Sequence, residues 1–403
     1  MPPLTTIQQD FQVSFHYAVH FTRDLFALSN PLFRDVLGQD AVGPPPKLLV
    51  VLDRGVQRCH PRLWSGIEAY CRRHPEVVTL IGAPLLFEGG EHLKNNPLHV
   101  NLVQQAIHAA GLCRHSYVAA IGGGALIDMA GFAAATAHRG IRLIRVPTTV
   151  MAQADASIGV KNGINAFGKK NFIGAFAPPV AVLNDADFLP TLSRRDWIGG
   201  VAEAVKVALI KDADFFDFLE EHAESLADRD LARMEQVIHR SAALHLDHIA
   251  RGGDPFEFGS SRPLDFGHWV AHKLEHLSGY ELGHGQAVAL GIALDSTYAH
   301  LRGLLPQSQW QRILTTLRTL GFALYDTRME VEHGLLDGLQ EFQEHLGGRL
   351  TIMLLWDIGQ GLEVHEVDPD LVRESLAILK EEAALSSGSA ARVAAGGVVP
   401  KAS

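Results

Sequence analysis

The sequence predicts a doubly wound parallel α/β sheet followed by an all-helical domain. Between about residues 47 and 185, short apolar runs alternate with amphipathic helical segments, which is typical of a parallel sheet with helices on both faces. After residue 189, strand-like runs become rare and helical periodicity dominates. The length of 403 residues favours two domains over one.

The elements of the first domain can be read in order along the chain. The predicted strands are KLLVVLD, TLIGAPLLF, SYVAAIGGG, IRLIRVPTT and VAVLND, and the predicted helices between them are WSGIEAYCRRH, HVNLVQQAIHAAG and ALIDMAGFAAATAHRG. We therefore assign residues 47–187 to an α/β domain. Residues 1–46 are expected to be an N-terminal extension, partly strand, that packs on it.

The second half is predicted to be helical. Its helices are RRDWIGGVAEAVKVALI, DADFFDFLEEHAESL, DLARMEQVIHRSAALHLDHIA and two more within residues 264–291, with Gly- and Pro-containing breaks at 252–255 and 259–263. The run RLTIMLLW at 349–356 predicts an isolated strand or a hairpin. We assign 188–385 to this domain and expect the small, polar tail at 386–403 to be disordered.

Composition excludes several classes of protein. A net charge of -10 argues against nucleic acid as the main partner, because nucleic-acid binders usually carry a basic face. The three cysteines, Cys59, Cys71 and Cys113, show no CxxC spacing, which favours a reducing compartment. We find no leader-like N-terminus and no apolar run of about 18 residues. These features predict a cytoplasmic protein that does not enter a membrane.

Two Gly-His pairs predict a metal site. The segment LDFGHWVAHKLEHLSGYELGHGQAVALG places His268 and His284 at the heads of two predicted helices, and Glu203 lies on an earlier one. Two imidazoles and a carboxylate leave coordination positions open, which suits a catalytic ion. Ordinary surface histidines are the alternative, since the chain contains 21. Lys206 shares a helical face with Glu203, and the apolar residues around them favour a buried pair over an exposed one.

A glycine run predicts a phosphate-binding turn. Gly122, Gly123 and Gly124 follow a strand and open a helix, where backbone N–H groups can approach a pyrophosphate. The run is not GxGxxG, so a tight turn without a ligand stays an alternative. Thr148 and Thr149 end the next strand, at the sheet edge where ligands bind.

Polar residues are dense between 155 and 171. Lysines among glycines suit an anionic substrate, although a solvated loop would have the same composition. The residues concerned are Asp155, Lys161, Asn165, Lys169, Lys170 and Asn171.

Together these motifs resemble the dehydroquinate synthase superfamily, the sugar phosphate cyclases, over roughly residues 45–360. The matching strings are GGGALIDMAGFAAATAHRG, RVPTTVMAQADASIGVKNGIN, GKKNFIGAF, FLPTL, AEAVK, LDFGHWVAH and HGQAVALG, in the same order and spacing. A protein similar to glycerol dehydrogenase would share the fold and the GGG turn, but not GKKN together with FGHxxxH. The resemblance implies a Rossmann-like NAD domain followed by an all-α metal-binding domain.

The resemblance also implies a role for each matching residue. Zinc, or cobalt in its place, would be held by Glu203, His268 and His284. The NAD site would comprise Asp53, Glu91, Lys94, Gly122, Gly123, Gly124, Asp128, Thr148, Thr149, Asp155, Lys161, Lys170 and Thr191. The catalytic residues would be Asp155, Lys161, Lys206 and His272, and the substrate would contact Asp128, Arg139, Lys170, Asn171 and Asp265. Arg139 would reach into the neighbouring site of a homodimer.

The chain departs from the dehydroquinate synthases at several positions. Asp265 replaces asparagine, Ser261 replaces arginine with Arg262 displaced by one, and His245 replaces lysine. FQEHLGGRL stands where the family has Asp-Lys-Lys, so His345 or Arg349 would have to replace the lysine that holds phosphate.

These departures favour a substrate without a carboxylate, because a desolvated carboxylate needs a paired cation. The family alternative is sedoheptulose 7-phosphate, and His272, where related branches carry proline, points to the 2-epi-valiolone synthase branch. The reaction implied is phosphate elimination and ring closure with transiently reduced NAD. The alternatives are 3-dehydroquinate synthase, 2-epi-5-epi-valiolone synthase, a metal-dependent polyol dehydrogenase, and a catalytically silent ligand-binding relative.

Overall fold

A computed structural model describes residues 6–39, 43–252, 254–256, 263–330, 334–345 and 348–395. The strands are β1 (Ala18–Thr22), β2 (Lys47–Asp53), β3 (Thr79–Leu80), β4 (Leu85–Phe87), β5 (Tyr117–Gly122), β6 (Arg142–Pro147), β7 (Lys161–Ala166), β8 (Lys169–Phe176), β9 (Ala181–Asp185), β10 (Ile352–Asp357) and β11 (Gln360–Val364). The helices are α1 (Leu32–Gly38), α2 (Arg54–Cys59), α3 (Leu63–Arg73), α4 (Leu98–Ala109), α5 (Gly124–Thr136), α6 (Arg194–Lys211), α7 (Ala213–Glu221), α8 (Ala223–Ala227), α9 (Leu231–Arg251), α10 (His268–Leu277), α11 (His284–Leu301), α12 (Gln307–Leu320), α13 (Asp337–His345) and α14 (Pro369–Ala395).

The first domain is built on a seven-stranded sheet in the order β1-β9-β6-β5-β2-β3, with β4 also paired to β2. Its strand pairs are parallel. The chain leaves β2 for β3 and β4 on one side and returns to β5 on the other, so the order reverses between β2 and β5. Ligands bind beyond the carboxyl ends of the strands at such a point. Asp53 ends β2 and Gly122 ends β5 there.

Both faces of the sheet are covered by helices. Leu48, Val50 and Leu52 of β2 pack into a core with residues of α1 and α3. Leu49 and Val51 point the other way, into a core with residues of α4 and α5. This alternation buries the strands on both sides and confirms the predicted doubly wound fold.

The second domain surrounds two buried helices, α6 and α11. Residues 197–210 of α6 are all buried, as are most residues of α11, and the two helices pack against each other. A helix that is apolar on every side belongs in a core. The helices that carry Glu203 and His284 are therefore the rigid centre of this domain, and the predicted helical domain is confirmed.

The polar segment after residue 155 is ordered as a β-hairpin, which the sequence interpretation did not predict. A π-helical turn, Ala152–Ala156, precedes β7, and β7 pairs antiparallel with β8. Phe167 and Gly168 form the two-residue turn with φ of 55° and 74°. Two positive φ angles identify a type I′ turn, which matches the twist of the strands. The solvated-loop alternative is wrong for this segment.

The two ends of the chain compare differently with what the sequence predicts for them. β1 pairs in parallel with β9, so the N-terminal extension supplies the edge strand of the sheet. Helix α14 continues to Ala395, ten residues into the tail expected to be disordered, because its alanines favour a helix; residues 396–403 lie outside the described residues. The run at 349–356 contributes to β10, which pairs with β11 as a hairpin.

Within the described ranges, none of the helices combines the length and apolar character needed to cross a membrane.

Candidate metal and nucleotide site

Glu203, His268 and His284 converge where α6, α10 and α11 meet. One ligand atom from each lies within 4.8 Å of the others. Glu203 Oε1 is 3.6 Å from His268 Nε2 and 3.1 Å from His284 Nε2. Among the residues that the structure describes, this is the only cluster of three potential ligands with such spacing.

Glycines allow the three helices to approach at these positions. Gly267 precedes α10 with φ of 75°, and a Cβ there would lie 2.8 Å from Ile292 N of α11. A Cβ at Gly291 would overlap the Gly267 carbonyl, and one at Gly285 would overlap the Gly199 carbonyl of α6. A side chain at these positions would separate the backbones that carry the ligands.

The hydrogen bonds of the two imidazoles favour a cation between them. His268 Nδ1 lies 3.2 Å from the Phe266 carbonyl oxygen, and His284 Nδ1 lies 3.0 Å from Glu275 Oε2. These oxygens can only accept, so each Nδ1 donates and a neutral ring directs its Nε2 lone pair toward Glu203. The Glu203 carboxylate is buried, with Oε1 3.1 Å from His284 Nε2 and Oε2 2.5 Å from Lys206 Nζ. A divalent ion fits this donor set, and the partners of Nδ1 are those that typically orient metal-binding histidines.

Ion pairs and burial set the charges around the cluster. Burial raises the pKa of Glu203, but Lys206, with Nζ 2.5 Å from Glu203 Oε2, and His268 hold it well below the usual value. Burial and Lys170 lower the pKa of His284, but Glu275 and Glu203 raise it to about 9. Without a metal, His284 therefore holds a proton that an ion would displace.

The pKa values of Lys170 and His272 are shifted in opposite directions. Burial lowers the pKa of Lys170, but Glu275 and Glu91 raise it to about 12, so Lys170 is cationic. Burial and Lys170 hold the pKa of His272 well below its usual range, so its imidazole is neutral. The ring centroids of His272 and His268 are 5.4 Å apart, which places a proton acceptor beside the metal cluster.

Three acidic residues surround Lys206. Burial lowers the pKa of Lys206, but Glu203, Asp155 and Asp265 raise it above its usual value. Asp155 Oδ1 also lies 2.8 Å from His245 Nδ1. The structure thus brings the predicted residues Asp155, Lys206 and Asp265 together around the metal cluster.

Glu275 is a site residue that the sequence interpretation missed. Its side chain is 3% exposed and contacts both His284 and Lys170. The sequence did contain a pattern that could have indicated Glu275. This charged residue lies seven positions after His268, and so on the same face of a helix whose surface is largely buried.

The glycine run occupies the position predicted for a nucleotide phosphate. Gly123 precedes α5 and provides no side-chain cap, so the first N–H groups of the helix stay available. A Cβ at Gly122 would lie 3.1 Å from Asp53 Cβ, and one at Gly123 would lie 3.4 Å from a Thr149 carbon. Thr148 N donates to the Gly122 carbonyl oxygen at 3.0 Å. Open N–H groups and glycine-lined space fit a pyrophosphate.

Five residues singled out in the sequence form a network between this turn and the hairpin. Lys94 is 2% exposed, and its Nζ lies 2.8 Å from Asp128 Oδ2 and 3.7 Å from Glu91 Oε1. It also bonds to Asn171 Oδ1. Asn165 donates to Glu91 Oε1 at 3.1 Å. The network connects the nucleotide side to β8, which carries Lys170.

Three other predicted residues lie at the surface of the chain. Lys161 is exposed at the start of β7. Thr191 is exposed, donates to the Phe188 carbonyl oxygen and lies 2.9 Å from His60 Nε2. Arg139 is exposed with φ of 61°, and no contact described for this single chain joins it to the metal cluster.

The structure describes only some of the positions at which the chain departs from the family. Ser261 and Arg262 lie outside the described residues, as does the side chain of His345, whereas Arg349 is exposed.

The fold and the site together define a two-domain protein in which the glycine turn of a parallel sheet adjoins a His-His-Glu cluster of a helical domain. The family profile for the 3-dehydroquinate synthase N-terminal region matches residues 84–199, and that for the C-terminal region matches residues 200–337. The 3-dehydroquinate synthase of Cereibacter sphaeroides is 40% identical over 65% of this chain and 72% of its own length. The 3-dehydroquinate synthase of Rhodopseudomonas palustris is 35% identical over 84% of this chain and 88% of its own length. The chain belongs to the 3-dehydroquinate synthase family.

Several solved structures share this fold. The 2-epi-5-epi-valiolone synthase of Streptomyces hygroscopicus, with NAD+ and Zn2+ bound, has a TM-score of 0.84 and 30% identity over 93% of this chain and 100% of its own. A 2-deoxy-scyllo-inosose synthase with NAD+ and Co2+ has a TM-score of 0.71 and 22% identity over 89% and 95%, respectively. A probable glycerol dehydrogenase from Sinorhizobium meliloti shares the fold, with a TM-score of 0.59 and 13% identity over 91% of this chain and 97% of its own.

Proposed function

We propose that this protein is a sugar phosphate cyclase that converts sedoheptulose 7-phosphate to a C7 cyclitol, 2-epi-valiolone, with elimination of phosphate. Family membership supports the cyclase class. The observation that carries the choice of substrate is Asp265, an acidic side chain close to Lys206 and His268.

NAD and a divalent metal are the proposed cofactors. Metal would be held by Glu203, His268 and His284, with zinc or cobalt both compatible with this donor set. NAD would lie at the Gly122–Gly123–Gly124 turn, beside Asp53 and the Lys94 network. When bound, the two would supply a hydride acceptor and a Lewis acid for the substrate oxygens.

The residues of the chain would bind substrate and move protons around these cofactors. Lys170, cationic beside Glu275, would donate to phosphate or hydroxyl oxygens together with Asn171. His272, neutral in this environment, would accept a proton, or the leaving phosphate would do so itself. Lys206 would hold Glu203 ionised, while Asp155 is fixed by His245.

Electrostatics favour a sugar without a carboxylate. A substrate carboxylate beside Asp265 would be repelled, whereas hydroxyl groups can donate to it. His245, at the family's lysine position, has Nδ1 2.8 Å from Asp155 Oδ1, so this side chain contacts that carboxylate. The curated relatives named 3-dehydroquinate synthase support one alternative, and the structural neighbour named 2-epi-5-epi-valiolone synthase supports another. His272 is the reason to favour 2-epi-valiolone as the product.

Phosphate release separates a cyclase from a polyol dehydrogenase. Protein incubated with NAD, Zn2+ and sedoheptulose 7-phosphate is expected to release phosphate without net change in absorbance at 340 nm, because NAD is recycled. The product should be cyclic by NMR. A net rise at 340 nm with a simple polyol, and no phosphate release from any sugar phosphate, would support the dehydrogenase instead.

We also propose a cytoplasmic homodimer in which the partner's Arg139 enters the site. The exposed position of Arg139 supports this arrangement, and the three free cysteines suit a reducing compartment. Arg139→Ala and Glu203→Gln chains should each be inactive alone. An equimolar mixture that exchanges subunits should recover about a quarter of wild-type activity, because about half of its dimers are heterodimers and one of the two sites in each heterodimer is complete. Absence of recovery despite mixed dimers would contradict the shared site.

A further inference from the structure

The buried carboxylate of Glu275 joins three elements at the edge of the metal cluster. It lies on α10, accepts from His284 Nδ1 of α11 at 3.0 Å, and accepts from Lys170 Nζ of β8 at 2.9 Å on each oxygen. A carboxylate on a side chain that is 3% exposed needs such partners to offset its desolvation. Here both partners belong to the proposed site.

We propose that Glu275 is the positioning residue that sets the strength of metal binding through His284 and holds Lys170 in place for an anionic ligand. This inference rests on the proposed metal site. Glu275 would contact neither metal nor substrate, so its effect would pass through its two partners.

The geometry gives Glu275 a distinct effect on each partner. By accepting from Nδ1, it fixes the tautomer of His284 whose Nε2 is a ligand, and a carboxylate acceptor raises the donor strength of that nitrogen. The ion pair with both oxygens occupies two of the three N–H groups of Lys170 and leaves one for another acceptor. Lys170 Nζ, 3.4 Å from His284 Nδ1, cannot replace this acceptor because it carries only donors.

Zinc affinity separates these two effects. We would measure the Kd for Zn2+ by competition with a chromophoric chelator, without NAD or substrate. Glu275→Gln is expected to weaken binding about 10- to 100-fold, the usual effect of losing such a partner. Lys170→Met keeps the bond from His284 to Glu275, so it should change the Kd by less than about 3-fold. Glu341→Gln is the matched control. It breaks the ion pair between Glu341 of α13 and Lys273 of α10, the helix that also carries Glu275, and this pair lies outside the site.

Two further readouts distinguish positioning from folding. The d–d absorption bands of the Co2+-substituted protein should shift in Glu275→Gln and stay unchanged in Glu341→Gln, because only the first alters the donor strength of His284. The affinity for inorganic phosphate should fall in both Glu275→Gln and Lys170→Met. If Glu275→Gln does not fold, Glu275→Asp, which keeps the charge on a shorter side chain, is measured in the same way, with a smaller loss of affinity expected.

The proposal is overturned if folded Glu275→Gln binds Zn2+ within about 2-fold of wild type, or if Lys170→Met weakens zinc binding as much as Glu275→Gln does. Failure of the proposed function would look different. In that case wild-type protein would bind zinc normally, with the predicted effect of Glu275→Gln, and would still release no phosphate from sugar phosphates.

Discussion

At the scale of single residues, His268 is the clearest test of the metal site. His268→Ala should abolish stoichiometric zinc binding and turnover, because it removes one of the three proposed metal ligands, Glu203, His268 and His284. Zinc per chain would be measured after dialysis. His276→Ala, an exposed histidine of the same helix, is the control and should retain both. Normal activity in metal-free His268→Ala protein would end the metal hypothesis.

Asp265 is the residue on which substrate choice depends most. Asp265→Asn removes a negative charge beside Lys206, so the repulsion of a substrate carboxylate should fall. We expect kcat/KM for the carboxylate-bearing precursor of dehydroquinate, relative to sedoheptulose 7-phosphate, to rise about 10-fold, equivalent to ~1.4 kcal/mol. An unchanged ratio would show that Asp265 does not select the substrate.

The individual site residues were predictable to different degrees. Glu203, His268 and His284 could be predicted because their motifs and helix positions are local in the sequence. Glu275 and the His245–Asp155 pair could not, because their roles depend on contacts between α10 and β8 and between α9 and the π-helical turn. Such contacts arise only from the packing of distant segments.

At the scale of elements, the approach of α10 to α11 depends on Gly267. Gly267→Ala would place a methyl group 2.8 Å from Ile292 N at a backbone with φ of 75°. Gly303→Ala has a similar φ of 72° but meets nothing within 4 Å, so it isolates the backbone cost of about 1–2 kcal/mol. Urea unfolding should show a larger loss of stability for Gly267→Ala, and zinc content should fall only in that variant. Equal losses with full zinc content would contradict the packing argument.

Most elements could be predicted from periodicity, but the β7–β8 hairpin could not. The strands of the sheet are long apolar runs, and the buried helices carry apolar residues on every face. The hairpin has exposed, polar residues on β8, and its type I′ turn uses Phe167-Gly168 in place of the usual Asn-Gly. Its position is set by contacts with α5, so the local pattern indicated only a loop.

At the scale of the whole molecule, Asp295 should give stability a specific pH dependence. It is 3% exposed, accepts from Gly267 N and Trp269 Nε1, and burial raises its pKa to about 7. The unfolded chain releases this proton near pH 4, whereas the folded protein keeps it until about pH 7. Stability should therefore fall as pH rises through this window, by at most about 1.4 kcal/mol per pH unit, and show no further change from this group above it.

Comparison with Asp295→Asn isolates this effect from the other titrating groups. The difference in free energy of unfolding, wild type minus Asp295→Asn, should decrease from pH 4.5 to 7 and stay constant above that, as measured by urea unfolding. Parallel curves for the two proteins would show that Asp295 is ionised throughout.

The most direct test of the proposed function compares two substrates on one preparation. With NAD and Zn2+ present, kcat/KM for phosphate release would be measured for sedoheptulose 7-phosphate and for the carboxylate-bearing precursor of dehydroquinate. We predict efficient release from sedoheptulose 7-phosphate, with a cyclic C7 product, and little from the carboxylate-bearing sugar. Release only from the carboxylate-bearing sugar would contradict the proposal and make this chain a 3-dehydroquinate synthase in activity.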